Sequence, residues 1–322
     1  GKPQKTGECG TMRIVFWGSS DFSMPSLELL GKYNWIAGVV TNPDKPYGRG
    51  MNQIHQTPIK LWALQHSVPC LQPTKLRDEG FIQSLQALKP DLFVVVSYGR
   101  ILPEEILSLP PLGSINLHAS LLPRYRGASP IQAALLNDDR ITGNTVQYMT
   151  KELDQGDIIL QSELVIYPND TYPTLSERLS HDGANLLVQA IQLIREHKAP
   201  RTPQNNAEAS YTRIIRREDG EITFSLLSSH EVWCRYRAYY PWPGIFTTCH
   251  QAKTPFVVHL TDIAESPQSG EAGIVLRADK EQFLIACREG SIRINKLKPA
   301  GKKEMDFLSF LNGYKIQIGK AL

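Results

Sequence analysis

Short runs of β-branched and aromatic residues alternate with longer segments of helical period in the first half of the chain. These apolar runs are predicted as strands, and they fall at residues 13–17, 35–41, 91–97 and 114–118. Runs that are apolar at every position suit strands covered on both faces, as in a parallel sheet built from βαβ units. The N-terminal half is therefore predicted as an α/β, doubly wound domain of Rossmann-like type.

The second half of the chain shows shorter, alternating runs separated by Gly, Pro, Asp and Ser, which is typical of a small antiparallel β-barrel of the OB type. These runs lie at residues 256–260, 273–276, 283–286 and 291–297. Between the halves, HKAPRTPQNNAEAS at 197–210 has the Pro-rich and aperiodic composition of a linker. We therefore predict domains at 12–197 and 213–322, joined by a linker at 198–212.

The composition of the chain mainly excludes certain classes of protein. The chain has 322 residues, of which 41% are hydrophobic and 21% charged, and no apolar run approaches the roughly 20 residues that a membrane-spanning helix needs. Residues 1–11 carry no apolar core of the signal-peptide kind and precede the first predicted strand, so we interpret them as an expression remnant. Five cysteines without a C-x-x-C pair favour free thiols in a reducing cytoplasm.

Two kinds of cofactor are not predicted. The eight histidines are interpreted as showing no H-x-x-x-H spacing and no mixed Cys/His spacing, so no metal site is expected. The turn after the first strand, GSSDF at 18–22, lacks the G-x-G-x-x-G that a dinucleotide needs. Ligands of open α/β sheets lie at the carboxyl ends of the strands, which directs attention to residues 97–102 and 118–126.

Asn116 and His118 stand two residues apart at the end of a predicted strand. Because residues i and i+2 of a strand point to the same face, both polar side chains project together. An imidazole beside a carboxamide can stabilise the oxyanion that forms when an amine adds to a carbonyl. The pair could equally be two polar residues satisfied at a strand end, and the spacing alone leaves both interpretations open.

An acidic loop follows further along the chain. Glu152, Asp154 and Asp157 lie close to Gly156, which permits a tight backbone conformation. A carboxylate from this loop could reach back to His118, and the spacing does not choose among the three acids.

The segment SINLHASLLPRYRGASPIQ at 114–132, followed by ELDQGDI at 152–158, resembles the formyltransferase family that uses 10-formyltetrahydrofolate. The resemblance extends over nearly the whole chain, beginning with MRIVFWGSSDFSMPSLELL at 12–30. It implies a catalytic triad of Asn116, His118 and Asp154, and a formyltransferase role for the domain at 12–197. It also implies a folate site formed by Ser120, Leu121, Leu122 and Pro123 together with Tyr98, Gly99, Arg100, Ile101 and Leu102.

Several branches of this family share the core, so the formyl acceptor has to be inferred elsewhere. YYPWPG at 239–244 and LKPAGKK at 297–303 resemble the branch that formylates methionyl initiator tRNA for translation initiation. The implied co-substrate is 10-formyltetrahydrofolate and the implied partner is initiator methionyl-tRNA. The implied tRNA contacts are Lys45, Arg49, Lys298, Lys302 and Lys303. A formyltransferase acting on an amino-sugar nucleotide and a non-catalytic RNA-binding protein are the alternatives.

The charge distribution fits a tRNA-binding second domain. Residues 211–322 contain 16 Lys and Arg against 12 Asp and Glu, whereas residues 12–210 contain 17 against 19. A basic surface of this kind can follow phosphates, and barrels of the OB type commonly bind oligonucleotides. We expect a cytoplasmic monomer that does not bind membranes.

The insertion after the second predicted strand departs from the family pattern. Met51, Asn52 and Gln53 stand where the family commonly has lysines. The insertion spans residues 44–60, and its positive charge therefore rests on Lys45, Arg49 and Lys60.

Overall fold

The computed structural model describes residues 11–322, except for the side chain of Arg49. Residues 1–10, most of the predicted remnant, lie outside the described residues. The chain divides into two compact units. Unit 1 extends to Pro130 and includes Ile141–Val165 and Ser176–Thr212, whereas unit 2 comprises Ile131–Arg140, Ile166–Leu175 and Arg213–Leu322. Among the described residues, every helix is too short or too polar to cross a membrane.

Strands and helices alternate along the N-terminal part of the chain, as the apolar runs predict. In order they are β1 (Ile14–Trp17), α1 (Met24–Lys32), β2 (Ile36–Val40), β3 (Lys45–Tyr47), β4 (Gln53–His55), α2 (Pro58–Gln65), β5 (Cys70–Leu71), α3 (Glu79–Ala87), β6 (Leu92–Val95), α4 (Glu104–Leu107), β7 (Ser114–His118), β8 (Arg126–Gly127), α5 (Pro130–Leu136), β9 (Ile141–Tyr148), β10 (Ile158–Val165) and α6 (Tyr172–Arg195).

Unit 1 is built on a seven-stranded sheet with the order β10-β9-β7-β6-β1-β2-β5. The five strands from β7 to β5 are parallel, and β9 and β10 extend the sheet in antiparallel fashion. The structure thus confirms the α/β class. The jump from β1 to β6 in strand order reverses the direction of winding, and ligand sites of such sheets lie at the carboxyl ends near this point.

The central strands are buried because both faces of the sheet are covered. In β1, Ile14 and Phe16 belong to one hydrophobic cluster, whereas Val15 and Trp17 belong to the cluster on the opposite face. This alternation follows from the two-residue period of a strand. Each fully buried side chain of this size contributes about 1.5–3 kcal/mol to the free energy of unfolding, so these short strands form a rigid base for the loops at their ends.

Unit 2 contains an antiparallel sheet with the strand order β12-β13-β16-β15-β14 and a short β17 beside β16. The remaining elements of the chain are β11 (Tyr211–Thr212), α7 (Ser229–Tyr239), β12 (Ile245–Cys249), β13 (Phe256–Ser266), β14 (Val275–Ala278), β15 (Phe283–Ala286), β16 (Ser291–Pro299), β17 (Met305–Asp306) and α8 (Phe307–Gly313). The predicted antiparallel β-domain is thereby confirmed. Helix α8 closes its core, where Phe310 stacks on Phe283 with ring centroids 6.0 Å apart.

Helix α7 begins with a reciprocal capping box. The Ser228 hydroxyl accepts a hydrogen bond from Glu231 N at 3.1 Å, and the Glu231 carboxylate accepts one from Ser228 N at 2.7 Å. Both bonds satisfy backbone N–H groups that a helix start leaves unpaired. The first turn of α7, which carries His230, is fixed in this way.

The segment predicted as a linker is packed against unit 1 along much of its length. Strand β11 pairs in parallel with β8, Thr202 bridges to Ile158, and Ser210 N donates to Pro123 O at 3.2 Å. Its Pro and Asn content limits regular secondary structure to short pieces such as β11, and its polar groups find partners in the adjoining fold. The last change from unit 1 to unit 2 along the chain comes between Thr212 and Arg213.

Candidate active site

Asn116 and His118 project from the carboxyl end of β7, on the side opposite to Ile115 and Leu117, which are buried in a core cluster. Asn116 Nδ2 donates to the carbonyl oxygen of Val95 at 3.0 Å. One hydrogen of this amide is left for another acceptor, and Asn116 Oδ1 is buried without a hydrogen-bond partner among the described residues. Buried polar atoms are nearly always satisfied, so this amide is poised to meet a ligand.

His118 is buried between two oxygen atoms. Its Nε2 donates to the carbonyl oxygen of Tyr125 at 2.8 Å, and its Nδ1 lies 3.7 Å from Asp154 Oδ1. Both ring nitrogens therefore face an oxygen atom that can accept a hydrogen bond. A carboxylate behind a histidine also fixes the orientation of the ring.

Of the three acids in the acidic loop, Asp154 is the one brought against His118. Its backbone is left-handed, with φ of 56°, and its side chain is nearly buried. Gly127 N donates to Asp154 Oδ2 at 2.7 Å, and Gln147 Nε2 donates to Oδ1 at 3.2 Å. Glu152 instead lies at the surface, 3.7 Å from Lys151 Nζ. The carboxylate of Asp154 is thus held on both of its oxygens.

Gly156 allows the acidic loop to close against β9. A Cβ atom at this position would lie 1.6 Å from the carbonyl oxygen of Tyr148, a backbone atom that cannot move aside. Only glycine fits such an approach. The glycine noted in the sequence is therefore needed for the position of Asp154.

Gln204 is a site residue that the sequence analysis did not identify. Its Nε2 lies within hydrogen-bond distance of Asp154 O at 2.9 Å and Gly156 O at 2.8 Å, and of Gln147 Oε1 at 3.3 Å. Its Oε1 accepts from Arg126 Nε at 3.1 Å and Nη2 at 2.9 Å. One amide thus ties the acidic loop to a fully buried guanidinium. A glutamine in a Pro-rich, Asn-rich segment gives no sequence signal for such a role.

The segment Ser120–Pro123 is held rigidly by Thr145 of β9. Thr145 Oγ1 donates to Ser120 O at 2.6 Å and accepts from Leu122 N at 3.1 Å. Ser120 and Leu122 are buried, whereas Leu121 and Pro123 are partly exposed. The latter two are therefore the members of this segment that can contact a ligand.

The segment 98–102, which follows β6, divides in the same way. Tyr98 is buried edge-on against Trp17, with ring centroids 5.3 Å apart, and this burial raises the pKa of its phenol. Leu102 is also buried, while Gly99 and Ile101 are exposed. Arg100 donates from Nη1 to the carbonyl of residue 73 at 2.8 Å and from Nη2 to that of residue 74 at 3.0 Å. Since β6 and β7 are neighbours in the sheet, both candidate folate segments start from the same edge.

The candidate tRNA residues Lys298, Lys302 and Lys303 lie together at the end of β16 and in the turn that follows. All three are exposed, and Lys302 Nζ stands 5.3 Å from the centroid of the Tyr314 ring. This corner of unit 2 presents positive charge with few fixed partners. It suits contacts with phosphate groups, which depend on charge more than on exact geometry.

The candidates Lys45 and Arg49 lie in unit 1, on the hairpin formed by β3 and β4. Lys45 is exposed, and the Arg49 side chain lies outside the described residues. Lys60, which follows the hairpin, is committed to an ion pair with Asp44 at 2.5 Å, and this contact lowers the pKa of the Asp44 carboxyl. The hairpin itself exposes apolar surface, contributed by Tyr47, Met51 and Ile54.

Comparison with known proteins identifies the family. Residues 12–191 match the sequence profile described as "Formyl transferase", and residues 214–315 match "Formyl transferase, C-terminal domain". The methionyl-tRNA formyltransferase of Methylacidiphilum infernorum is 42% identical over 316 residues, which cover 97% of this chain and 98% of that protein.

Two solved structures share the fold. HypX from Aquifex aeolicus, solved in complex with tetrahydrofolic acid, aligns with a TM-score of 0.63 at 16% identity, over 94% of this chain and 47% of HypX. The chain thus spans about half the length of HypX. An N-formyltransferase from Helicobacter canadensis, in complex with folinic acid and dTDP-3-aminofucose, aligns with a TM-score of 0.64 at 19% identity, over 88% of this chain and 99% of that protein. Together with the profile matches, these findings confirm the resemblance, and the chain belongs to the formyl transferase family.

Proposed function

We propose that this chain transfers the formyl group of 10-formyltetrahydrofolate to the α-amino group of methionyl initiator tRNA, giving N-formylmethionyl-tRNA for translation initiation. The observation that carries the proposal is the meeting of an amide, an imidazole and a carboxylate at the carboxyl end of β7, contributed by Asn116, His118 and Asp154. The acceptor is supported by 42% identity over 97% of the chain to a protein named for this reaction.

In the reaction, the free α-amine attacks the formyl carbon and a C–N bond forms while the carbonyl oxygen becomes an oxyanion. The remaining Nδ2 hydrogen of Asn116 is available to this oxyanion, and the charge of His118 as imidazolium stabilises it. No covalent bond to the enzyme is needed, because the amine is itself a competent nucleophile.

Collapse of this intermediate breaks the bond between the formyl carbon and N10 of the folate. The amine must lose a proton and N10 must gain one, so the proton balance closes within the site. Asp154 is placed to relay this proton through water, since its carboxylate lies beside His118 and is oriented by Gly127 and Gln147. Holding the carboxylate in one geometry before the reaction lowers the cost of reaching the transition state.

The folate would lie along the two segments that leave β6 and β7. The walls of this folate site would be formed by residues that are buried in the core, namely Ser120, Leu122, Tyr98 and Leu102. Arg100 anchors its segment through a hydrogen bond to the carbonyl of residue 73. The exposed or partly exposed members supply the direct contacts: Gly99, Ile101, Leu121 and Pro123. No metal takes part in this scheme.

Binding of tRNA is assigned to Lys298, Lys302 and Lys303 of unit 2 and to Lys45 and Arg49 of the hairpin in unit 1. Exposed lysines of this kind bind phosphates with little sequence preference. We further propose that the protein acts as a cytoplasmic monomer, with catalysis in a domain at 12–197 and tRNA binding in a domain at 213–322.

A formyltransferase for an amino-sugar nucleotide is the second candidate, favoured by the fold shared with the Helicobacter canadensis protein. One assay distinguishes the two candidates. The purified full chain is mixed with 10-formyltetrahydrofolate and either charged initiator tRNA or an amino-sugar nucleotide. We expect formylation of the charged tRNA only, with uncharged tRNA as the control that lacks the amine. Formylation of the sugar nucleotide without the tRNA would overturn the assignment of the acceptor.

A further inference from the structure

A second cluster of reactive side chains lies in unit 2, apart from the residues assigned to formyl transfer. It consists of Asp138, which follows α5, and of His230 and Cys234, which are four residues apart on α7. The expectation that the chain has no mixed Cys/His spacing is therefore wrong at this helix. Residues i and i+4 of a helix lie on the same face, so both side chains point toward Asp138.

The three ligand atoms are close enough to share one ion. His230 Nε2 lies 2.8 Å from Asp138 Oδ2 and 3.7 Å from Cys234 Sγ, and the three atoms all lie within 4.8 Å of one another. Tetrahedral zinc with bonds of about 2.0–2.3 Å places its ligand atoms roughly 3.3–3.6 Å apart. The nitrogen and sulfur already have this separation, and the nitrogen and oxygen need to move apart by only about 0.5 Å.

Outer partners hold each ligand with the coordinating atom turned inward. Glu265 Oε2 lies 3.3 Å from His230 Nδ1, which leaves Nε2 for the ion. Arg237 Nη2 donates to Asp138 Oδ1 at 2.9 Å, which leaves Oδ2, and the same nitrogen lies 3.7 Å from Cys234 Sγ. A carboxylate on the distal nitrogen of a histidine is the usual outer partner of a zinc ligand.

Charge and access both suit a divalent cation. With the thiol ionised, Asp138, Cys234 and Glu265 carry three negative charges, which Arg237 and one divalent ion neutralise. Asp138 and His230 are half exposed, with 53% and 51% of their side chains accessible, whereas Cys234 is buried behind them. An ion can therefore enter from solvent and retain a water molecule. A set of thiolate, imidazole and carboxylate ligands suits zinc and not the hard cations magnesium and calcium, which prefer oxygen ligands only.

We propose that Asp138, His230 and Cys234 form a zinc site with water as the fourth ligand. As the bond from Sγ to the metal forms, the thiol proton passes to solvent. The site joins residues that are 92 positions apart in the sequence. Since the ion binds the folded arrangement, zinc raises the melting temperature of the protein, and the rise grows with the logarithm of the zinc concentration once this exceeds the dissociation constant.

The test is a titration of metal-free full-length protein with Co²⁺, whose thiolate complexes absorb in the near ultraviolet. We expect one equivalent to bind with a thiolate-to-cobalt charge-transfer band, and Zn²⁺ to displace it. Cys234→Ser should remove the band, and His230→Ala should weaken Co²⁺ binding at least about tenfold. Cys70→Ser is the matched control, because Cys70 is a partly exposed thiol of β5 outside the cluster, and it should behave as wild type.

Absence of the band in the wild-type protein would overturn the proposal, as would a band that persists in folded Cys234→Ser or Co²⁺ binding of wild-type strength in His230→Ala. Circular dichroism shows whether Cys234→Ser folds. If it does not fold, His230→Ala still tests the proposal, because His230 is half exposed and its replacement should perturb the fold less. Glu265→Ala provides a separate readout. Loss of this outer partner should keep the band and lower the zinc affinity by about 10- to 100-fold, and an unchanged affinity would contradict its orienting role.

Discussion

The centre around Asn116, His118 and Asp154 and the basic corner at Lys298, Lys302 and Lys303 are opposites in construction. In the first, the side chains are half or fully buried, and the histidine and aspartate are braced by neighbouring hydrogen bonds. In the second, the lysines are exposed, and Lys302 Nζ lies near the face of the Tyr314 ring. Acyl transfer depends on atoms placed to within fractions of an ångström, whereas a phosphate can be met by a flexible charge in many geometries.

This contrast predicts different responses to mutation. In the braced centre, the loss of one group leaves others misplaced or unsatisfied, so effects on the rate should be large. At the basic corner, each lysine contributes an increment of electrostatic free energy, so effects should be small, similar and dependent on salt. The predictions below run from the largest expected effect to the smallest.

Replacement of either residue proposed to stabilise the oxyanion should have the largest effect. Asn116→Ala and His118→Ala should each lower kcat for formyl transfer by about 10²- to 10³-fold, as the loss of one oxyanion donor usually does. The KM for charged tRNA should change little, because neither side chain belongs to the basic corner. Steady-state kinetics with both substrates measures kcat and KM separately. Rates near wild type would remove both residues from the mechanism.

The choice of acid is tested by a pair of isosteric variants. Asp154→Asn keeps an oxygen for Gly127 N but loses the charge beside His118, and should lower kcat by about 10²-fold or more. Asp157→Asn should be near wild type, because the hydrogen bond at Asp157 is one that its backbone carbonyl oxygen accepts from Tyr148 N. The reverse pattern in single-turnover assays would transfer the role to Asp157.

A variant of Gln204 tests whether a residue that holds the acidic loop in place affects the rate of formyl transfer. Gln204→Ala removes the amide that links Asp154 O, Gly156 O and the buried guanidinium of Arg126. We expect kcat to fall by roughly tenfold with KM nearly unchanged, and the free energy of unfolding to fall by about 1–3 kcal/mol. The exposed neighbour Glu208→Ala serves as control. A drop in stability with full kcat would make Gln204 purely structural.

The basic corner should respond weakly and evenly. Lys298→Ala, Lys302→Ala and Lys303→Ala should each raise the KM for charged tRNA a few-fold. Each should also reduce the slope of log affinity against log salt by about one, while kcat is preserved. Lys280→Ala, elsewhere on unit 2, is the control. A loss of kcat that does not depend on salt would indicate that the lysine takes part in formyl transfer itself. The two regions would then not differ in the way described above.

The smallest effect is expected at an ion pair of unit 2 whose arginine is exposed. Arg213 Nη1 donates to Asp219 Oδ2 at 2.8 Å and holds the pKa of the Asp219 carboxyl below its usual value. The pair therefore adds stability above pH 3.8, the usual pKa, and this stability is lost as the pH falls through the lowered pKa of the folded state. Asp219→Asn should cost under about 1 kcal/mol at pH 7, because Arg213 is exposed.

Urea unfolding of Asp219→Asn and wild-type protein across the acid range measures this dependence. The difference between the two proteins should shrink toward low pH. A difference that grows with acid would show that the sign of the linkage is wrong.

What could be predicted from the sequence was local or carried by motifs. The shared face of Asn116 and His118 follows from strand period alone, and the covered parallel strands follow from their uniform apolar character. The selection of Asp154 over its acidic neighbours needed the family resemblance, because it depends on how the loop closes at Gly156. The roles proposed for the site residues await the assays above.

What could not be predicted depends on contacts between distant residues. Arg126 donates a hydrogen bond to Asn206, which lies 80 positions further along the chain. Lys60 is paired with Asp44, in a stretch that was considered only for its positive charge. The cluster at Asp138 brings α7 to a residue 92 positions earlier. Such pairs have no periodicity, so neither composition nor spacing points to them.

The hydrogen bonds of Gln204 and Ser210 also decide where the chain can be cut. A fragment ending at residue 197, where the helical pattern stops, would lack the amide that clamps the acidic loop and the strand that pairs with β8. A fragment ending at Thr212 keeps both. We therefore expect a transplantable formyl-transfer module to end at Thr212 and not at residue 197. Such a fragment also carries residues 131–140 and 166–175, which belong to unit 2.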